Sequence, residues 1–142
     1  MEVKPLGKPK ITRTLLDDYR KNKELIPILE YELEEMKRGE NGIGSSTIMD
    51  YRTGFPRPQA ITGFDWKLYE RRKKALERTK SKVSAVEEWV KSIEDGQTRN
   101  VFKMYYIDGM TWIRIAAKIG RRGEEYPRKM IRDKYLDEKN IK

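Results

Sequence analysis

The sequence contains no cysteine and no histidine. The first absence excludes disulfides and thiolate metal sites, and the second removes imidazole as a ligand, general base or nucleophile. No apolar run approaches the ~20 residues that cross a bilayer, and the mean hydropathy is -0.90. Met1 to Lys8 carry charge with no apolar stretch behind it, so neither a secretory signal nor a membrane anchor is expected there, and a cytoplasmic location is the default. A glycine-rich phosphate loop beside the acids is also missing. Asp65, Glu70, Glu87 and Glu88 fall on amphipathic helical stretches, where carboxylates are ordinarily solvated. No catalytic, cofactor-binding or metal-binding residue is therefore expected, and the chain reads as a non-enzyme.

Charge is what the chain has in excess. Of 142 residues 39% are charged, and 32 Lys and Arg against 23 Asp and Glu leave a formal charge of +9. Such a balance favours polyanions, of which nucleic acid is the commonest. The excess is unevenly placed: residues 99–142 hold twelve cations against six acids, which puts +6 of the +9 in under a third of the chain.

The hydrophobic pattern predicts an all-α protein. Thr12 or Thr14 can cap a helix that Gly39 stops after Arg38. Within it Leu15, Tyr19, Asn22, Ile26, Leu29, Leu33 and Met36 recur at alternating steps of four and three, a coiled-coil-like seam. Pro27 predicts a kink near Lys23 to Ile26, or two shorter helices meeting there. Residues 39–64 are rich in Gly, Pro and Ser and read as a long loop. Its aromatics Tyr51, Phe55 and Phe64, beside Arg52 and Arg57, either touch nucleic acid or pack onto the helices, and burial is the ordinary fate of large apolar side chains. Asp65 can cap a second long helix ending at Gly96, with seam positions Tyr69, Leu76, Thr79, Val83, Val86, Val90 and Ile93. Arg71 to Lys74 interrupt that seam with four cations, most simply a solvated face. The two seams suit an intramolecular helical hairpin or a homodimer. The organisation expected is a flexible arm over 1–11, a hairpin over 12–95 with its loop at 39–64, and a C-terminal domain with a basic tail over 96–142.

The C-terminal third reads as three short helices. The first spans Thr98 to Asp108 with Val101, Phe102, Tyr105, Tyr106 and Ile107 lining a core. Thr111 then caps a helix that Gly120 stops, with Trp112, Ile115, Ala116 and Ile119 on one face. The third covers Glu124 to Leu136 with Pro127 in its first turn. A helix with a small packing residue, a turn at glycine and a basic helix after it are the parts of a helix-turn-helix, whose second helix fits the major groove of double-stranded DNA. With Tyr126, Met130 and Ile131 facing inward, Arg128, Lys129, Arg132 and Glu125 are expected outside, the cations able to meet bases. Thr111, Arg114, Lys118, Arg121 and Arg122 are expected to hold phosphates. The alternative is a three-helix packing unit with a solvated basic surface.

The stretch from Phe102 to Gly120, with its aromatic helix, Asp108-Gly109 turn, Thr111-Trp112 cap and Ile115-Ala116 helix, resembles region four of bacterial sigma factors. More widely, Ser45-Ser46-Thr47-Ile48-Met49-Asp50 and Tyr126-Pro127-Arg128 resemble segments of the small phage-encoded regulators of the RinA/ArpU type. The resemblance covers most of residues 12–136 and is densest from Glu88 to Leu136. It implies a sequence-specific transcriptional regulator of phage late genes, acting in a bacterial host cell, with host RNA polymerase as a candidate partner. Region four opens its reading helix with Ser or Thr shortly after the glycine, whereas this chain has Arg121-Arg122-Gly123-Glu124-Glu125. No segment resembles the polymerase-binding or promoter-melting parts of a complete sigma factor, so an accessory regulator is implied. Two other readings stand beside it: a phage small terminase subunit that marks viral DNA for packaging, and a helical protein–protein adaptor whose charge serves solubility.

Overall fold

The computed structural model describes residues 8–38 and 64–142. Residues 1–7 of the expected arm lie outside the described residues. So does the loop up to residue 63, with Tyr51, Arg52, Phe55, Arg57 and the Ser45 to Asp50 segment. Among the described residues the chain is all-helical, with no strand. Six α-helices follow in order: α1 (Arg13–Asp17), α2 (Tyr19–Arg38), α3 (Trp66–Lys91), α4 (Gly96–Phe102), α5 (Trp112–Lys118) and α6 (Lys134–Glu138). Two π-helical segments join them, Lys103–Ile107 continuing α4 and Tyr126–Asp133 leading into α6. None of the described helices is long and apolar enough to cross a membrane.

Side-chain caps explain where these helices begin. The Thr12 hydroxyl accepts from the Leu15 amide at 3.0 Å, and the Asp65 carboxylate accepts from the Leu68 amide at 2.9 Å. Two boundaries differ from the sequence expectation. The interruption in the first helix falls at Asp18, and α2 runs unbroken through Pro27. Pro27 and Lys23 are both on the exposed side, so water can serve the Lys23 carbonyl that proline leaves without a donor. The second long helix ends at Lys91 and not at Gly96, because Asp95 caps the next one: its carboxylate accepts from both the amide and the hydroxyl of Thr98 at 2.9 Å. Gly96 thereby becomes the first residue of α4, and α4 starts two residues before the expected Thr98.

The heptad seams are buried in part, with Asn22, Ile26, Leu29 and Tyr69 only half-buried. Leu15, Tyr19, Leu33 and Met36 are buried on α1 and α2, as are Leu76, Thr79, Val83, Val86 and Val90 on α3 and Ile93 just beyond it. Thr79 meets the polar requirement of its site by donating to the Ala75 carbonyl at 2.8 Å.

The chain divides into two compact units, and α2 and α3 each contribute to both. One unit holds residues 24–38 and 64–79 of the described chain. In it Leu33, Met36, Leu76 and Thr79 are buried, and Phe64 contacts Trp66 and Tyr69 with ring centroids 4.5 and 5.5 Å away. The other unit holds residues 8–23 and 80–142. Here the early helices are tied to the last residues. The Arg13 amide donates to the Lys142 carbonyl at 2.8 Å, and its guanidinium reaches the Ile141 carbonyl at 3.0 Å and Asp137 at 2.8 Å. Asn140, in the left-handed region at φ 57°, turns the chain after α6 so that these carbonyls face Arg13. Arg20 donates to the Ile107 carbonyl at 3.1 Å, and Lys23 meets Glu87 at 2.8 Å. Tyr19 also donates to Glu87; burial, then that hydrogen bond, push its hydroxyl up to about 12. Lys8 pairs with Glu88.

Candidate nucleic-acid interface

Three elements of this unit meet at one small core. Val101 of α4, Ile115 of α5 and Ile131 of the second π segment pack together, with Met104, Tyr105, Met110, Trp112, Ile119 and Tyr126 around them. An aromatic group adjoins through Phe102, whose ring lies 5.5 Å from Trp89, 5.4 Å from Tyr135 and 5.7 Å from Tyr106. Beside the core, Tyr105 and Trp112 stack with centroids 4.0 Å apart and planes within 19°. These contacts hold α5 and the π segment in place.

Helix α5 follows the α period closely. Thr111 accepts from the Arg114 amide at 3.3 Å, Ile115 and Ala116 are buried, and Trp112 and Ile119 are half-buried on the same side. It ends in a paired hydrogen-bond turn: the Gly120 amide donates to Ala117 at 3.2 Å and the Arg121 amide to Ala116 at 2.8 Å. That geometry needs a left-handed residue at 120, and Gly120 has φ 78° with open space where a side chain would stand. The Asp108-Gly109 turn differs in kind, since the Arg20 guanidinium occupies the place of a Gly109 side chain, 2.5 Å from where its Cβ would be.

The next segment does not keep the α period. Tyr126–Asp133 is π-helical, and a π turn takes one more residue than an α turn. Pro127 and Ile131, four apart, are its buried residues, and Leu136 is the buried residue of α6. Two expectations are corrected in this segment. Met130, expected in the core, is 57% exposed. Arg132, expected outside, has a side chain only 18% exposed. Its guanidinium lies 5.1 Å from the Trp112 ring centre and 5.6 Å from that of Tyr105, donates to the Tyr106 hydroxyl at 3.3 Å and bonds Asp133 at 2.6 Å. Burial works against the Arg132 charge, but the Tyr106 and Asp133 partners outweigh it and the guanidinium is held above its ordinary range. Burial likewise pushes the Tyr106 hydroxyl up, leaving it protonated as a partner.

All the remaining predicted site residues except Arg128 are exposed. Thr111, Arg114 and Lys118 are exposed on α5, with Arg114 and Lys118 one turn apart. Arg121 and Arg122 are exposed in the turn, the former with its guanidinium 3.8 Å from the Tyr126 ring centre. Lys129 is exposed and meets Glu125 at 4.0 Å. Arg128 is about one-third exposed, with its Nε buried 3.6 Å from Glu124 and without a hydrogen-bond partner among the described residues.

The fold adds residues that no local pattern singled out. Gln97, Asn100 and Lys103, on α4 and its continuation, line an open cleft of about 560 Å³ together with Lys118. They come from a segment read only for its apolar face, so their polar side chains gave no separate signal. Lys103 is tied to Asp108 at 3.0 Å, leaving the two amides as free-facing donors beside Lys118. Exposed cations, amides and a hydroxyl can bind phosphate oxygens. Among the described residues no group of acids is arranged to hold a metal ion. No protein-family model, curated protein or solved structure matches the chain.

Proposed function

We propose that the protein is a sequence-specific binder of double-stranded DNA that regulates transcription, with α5 and the segment from residue 125 to 138 serving as a helix-turn-helix. The observation that carries this reading is the Val101–Ile115–Ile131 core joined by the Gly120 turn, with Arg114, Lys118, Arg122 and Lys129 left exposed around it. A short capped helix, a left-handed glycine and a cationic second segment docked on a shared core are the parts with which a helix-turn-helix docks in the major groove. Phosphates are assigned to Thr111, Arg114, Lys118, Arg121 and Arg122, and base edges to Arg128 and Lys129. Arg132 is assigned a different duty, holding the reading segment against the Tyr105–Trp112 stack. The resemblance to RinA/ArpU-type regulators extends the proposal to phage late genes, with host RNA polymerase as a further partner.

The test is binding of the full chain to random and selected duplexes across a salt series. A preferred sequence and a steep decline of affinity with salt are expected, and Arg114→Ala should weaken all duplexes alike while reducing the salt slope by about one. Binding that salt leaves unchanged, or no binding at all, would overturn the reading. A large ring of copies on a single preferred fragment would favour the terminase subunit.

A further inference from the structure

In residues 126–133 an apolar side chain that the sequence pattern places in the core stands in solvent instead. Met130 follows Arg128 and Lys129, is 57% exposed, and takes no part in the core built on Ile131. Its neighbour two residues on, Arg132, is drawn inward on the Tyr105–Trp112 stack, which fixes the rotation of the segment and so keeps Met130 outside. A large thioether on a cationic face loses favourable contacts in water and gains them only against another apolar group. On duplex DNA the major-groove edges of the bases carry hydrogen-bond donors and acceptors, and the one apolar group among them is the thymine C5-methyl.

We propose that Met130 is a specificity-determining residue that contacts a thymine methyl group in the major groove. The inference rests on the DNA-binding reading above and goes beyond it by naming the group recognised. Cations at 128 and 129 bring the segment to the groove through charge and hydrogen bonds, and neither supplies an apolar contact. Met130 supplies it, and with it a preference for thymine over uracil, which presents the same hydrogen-bonding atoms without the methyl group.

The experiment uses the full chain and a duplex enriched from a random library. Each thymine of the enriched site is replaced in turn by uracil, which removes the methyl group and keeps every base-pairing atom. The wild type should lose about fourfold in affinity at one thymine, the equivalent of one buried methyl group. Met130→Gln should show no uracil penalty at that position, and Met130→Leu, which stays apolar, should retain it. Both variants alter an exposed position, and an unchanged thermal midpoint checks that they fold. The proposal is overturned if no thymine is sensitive to the loss of its methyl group, or if Met130→Gln keeps the full penalty. Failure to enrich any duplex overturns the DNA-binding reading itself and this inference with it, whereas enrichment without methyl sensitivity removes only the role of Met130.

Discussion

Helix α5 and the π segment that follows it share one core, yet they respond differently to the same reading rule. In α5 the 3.6-residue period places Trp112, Ile115, Ala116 and Ile119 on one side, and the structure buries or half-buries all four. In residues 126–133 the same period places Met130 inside and Arg132 outside, and both are reversed. The difference is one of orientation. The buried pair Pro127 and Ile131 keeps a spacing of four, so what changed is the side of the segment that faces the core. What compensates for turning a guanidinium inward is a flat aromatic stack presented by two earlier elements, with a phenol hydroxyl beside it. Periodicity describes a helix that supplies its own face; it does not describe one whose face is selected by a neighbour.

This contrast can be broken by substitution. The largest effect is expected at the shared core: Ile115→Ala, at a fully buried site, should cost about 2–5 kcal/mol in urea unfolding. A loss below 1 kcal/mol would mean that α5 is not held as described. Next comes Arg132→Ala, which removes a ring contact and a hydrogen bond from a mostly buried site and should cost about 1–2 kcal/mol. Arg132→Lys should recover little of it, because an ammonium does not stack on the Tyr105–Trp112 pair as a planar guanidinium does. An unaffected stability in Arg132→Ala would place that side chain in solvent. Gly120→Ala is expected to cost about 1 kcal/mol, from left-handed strain alone, since no atom stands near the new methyl group. A clearly larger loss would reveal a packing role for the turn. Met130→Ala should change stability by less than about 0.5 kcal/mol; a loss typical of a core methionine would overturn the outward register and the recognition role built on it.

Much of the helical framework was legible because its causes are local. Asp65 and Thr111 cap their helices as expected, and of Thr12 and Thr14 it is Thr12 that caps the first, since a side-chain oxygen needs only the amides two or three residues away. Gly120 stops α5 because only a residue free to adopt positive φ closes that turn. Asp95 gives no distinct signal for a new helix, because Gly96 beside it reads equally well as the end of the previous one. The outward placement of Arg114, Lys118, Arg122 and Lys129 was legible for the same reason as the core: solvated cations are the complement of a buried face. The fate of Arg132 was not, because an arginine in a basic segment looks the same whether it faces solvent or an aromatic stack assembled from residues 105, 106 and 112. Gln97 and Asn100 were also silent, becoming neighbours of Lys118 only when α4 and α5 meet on their common core.

The sequence alone determined an all-helical chain, its seams, most of its caps and the concentration of positive charge near residues 99–142, because period, capping and composition act over a few residues. Tertiary structure decided the rest. Arg13 joins α1 to the residues after α6, Arg20 fills the space at Gly109, and the aromatic stack selects which side of residues 126–133 turns inward. Each of these depends on groups far apart along the chain whose meeting follows from packing, and packing is a property of the assembled core and of no single segment.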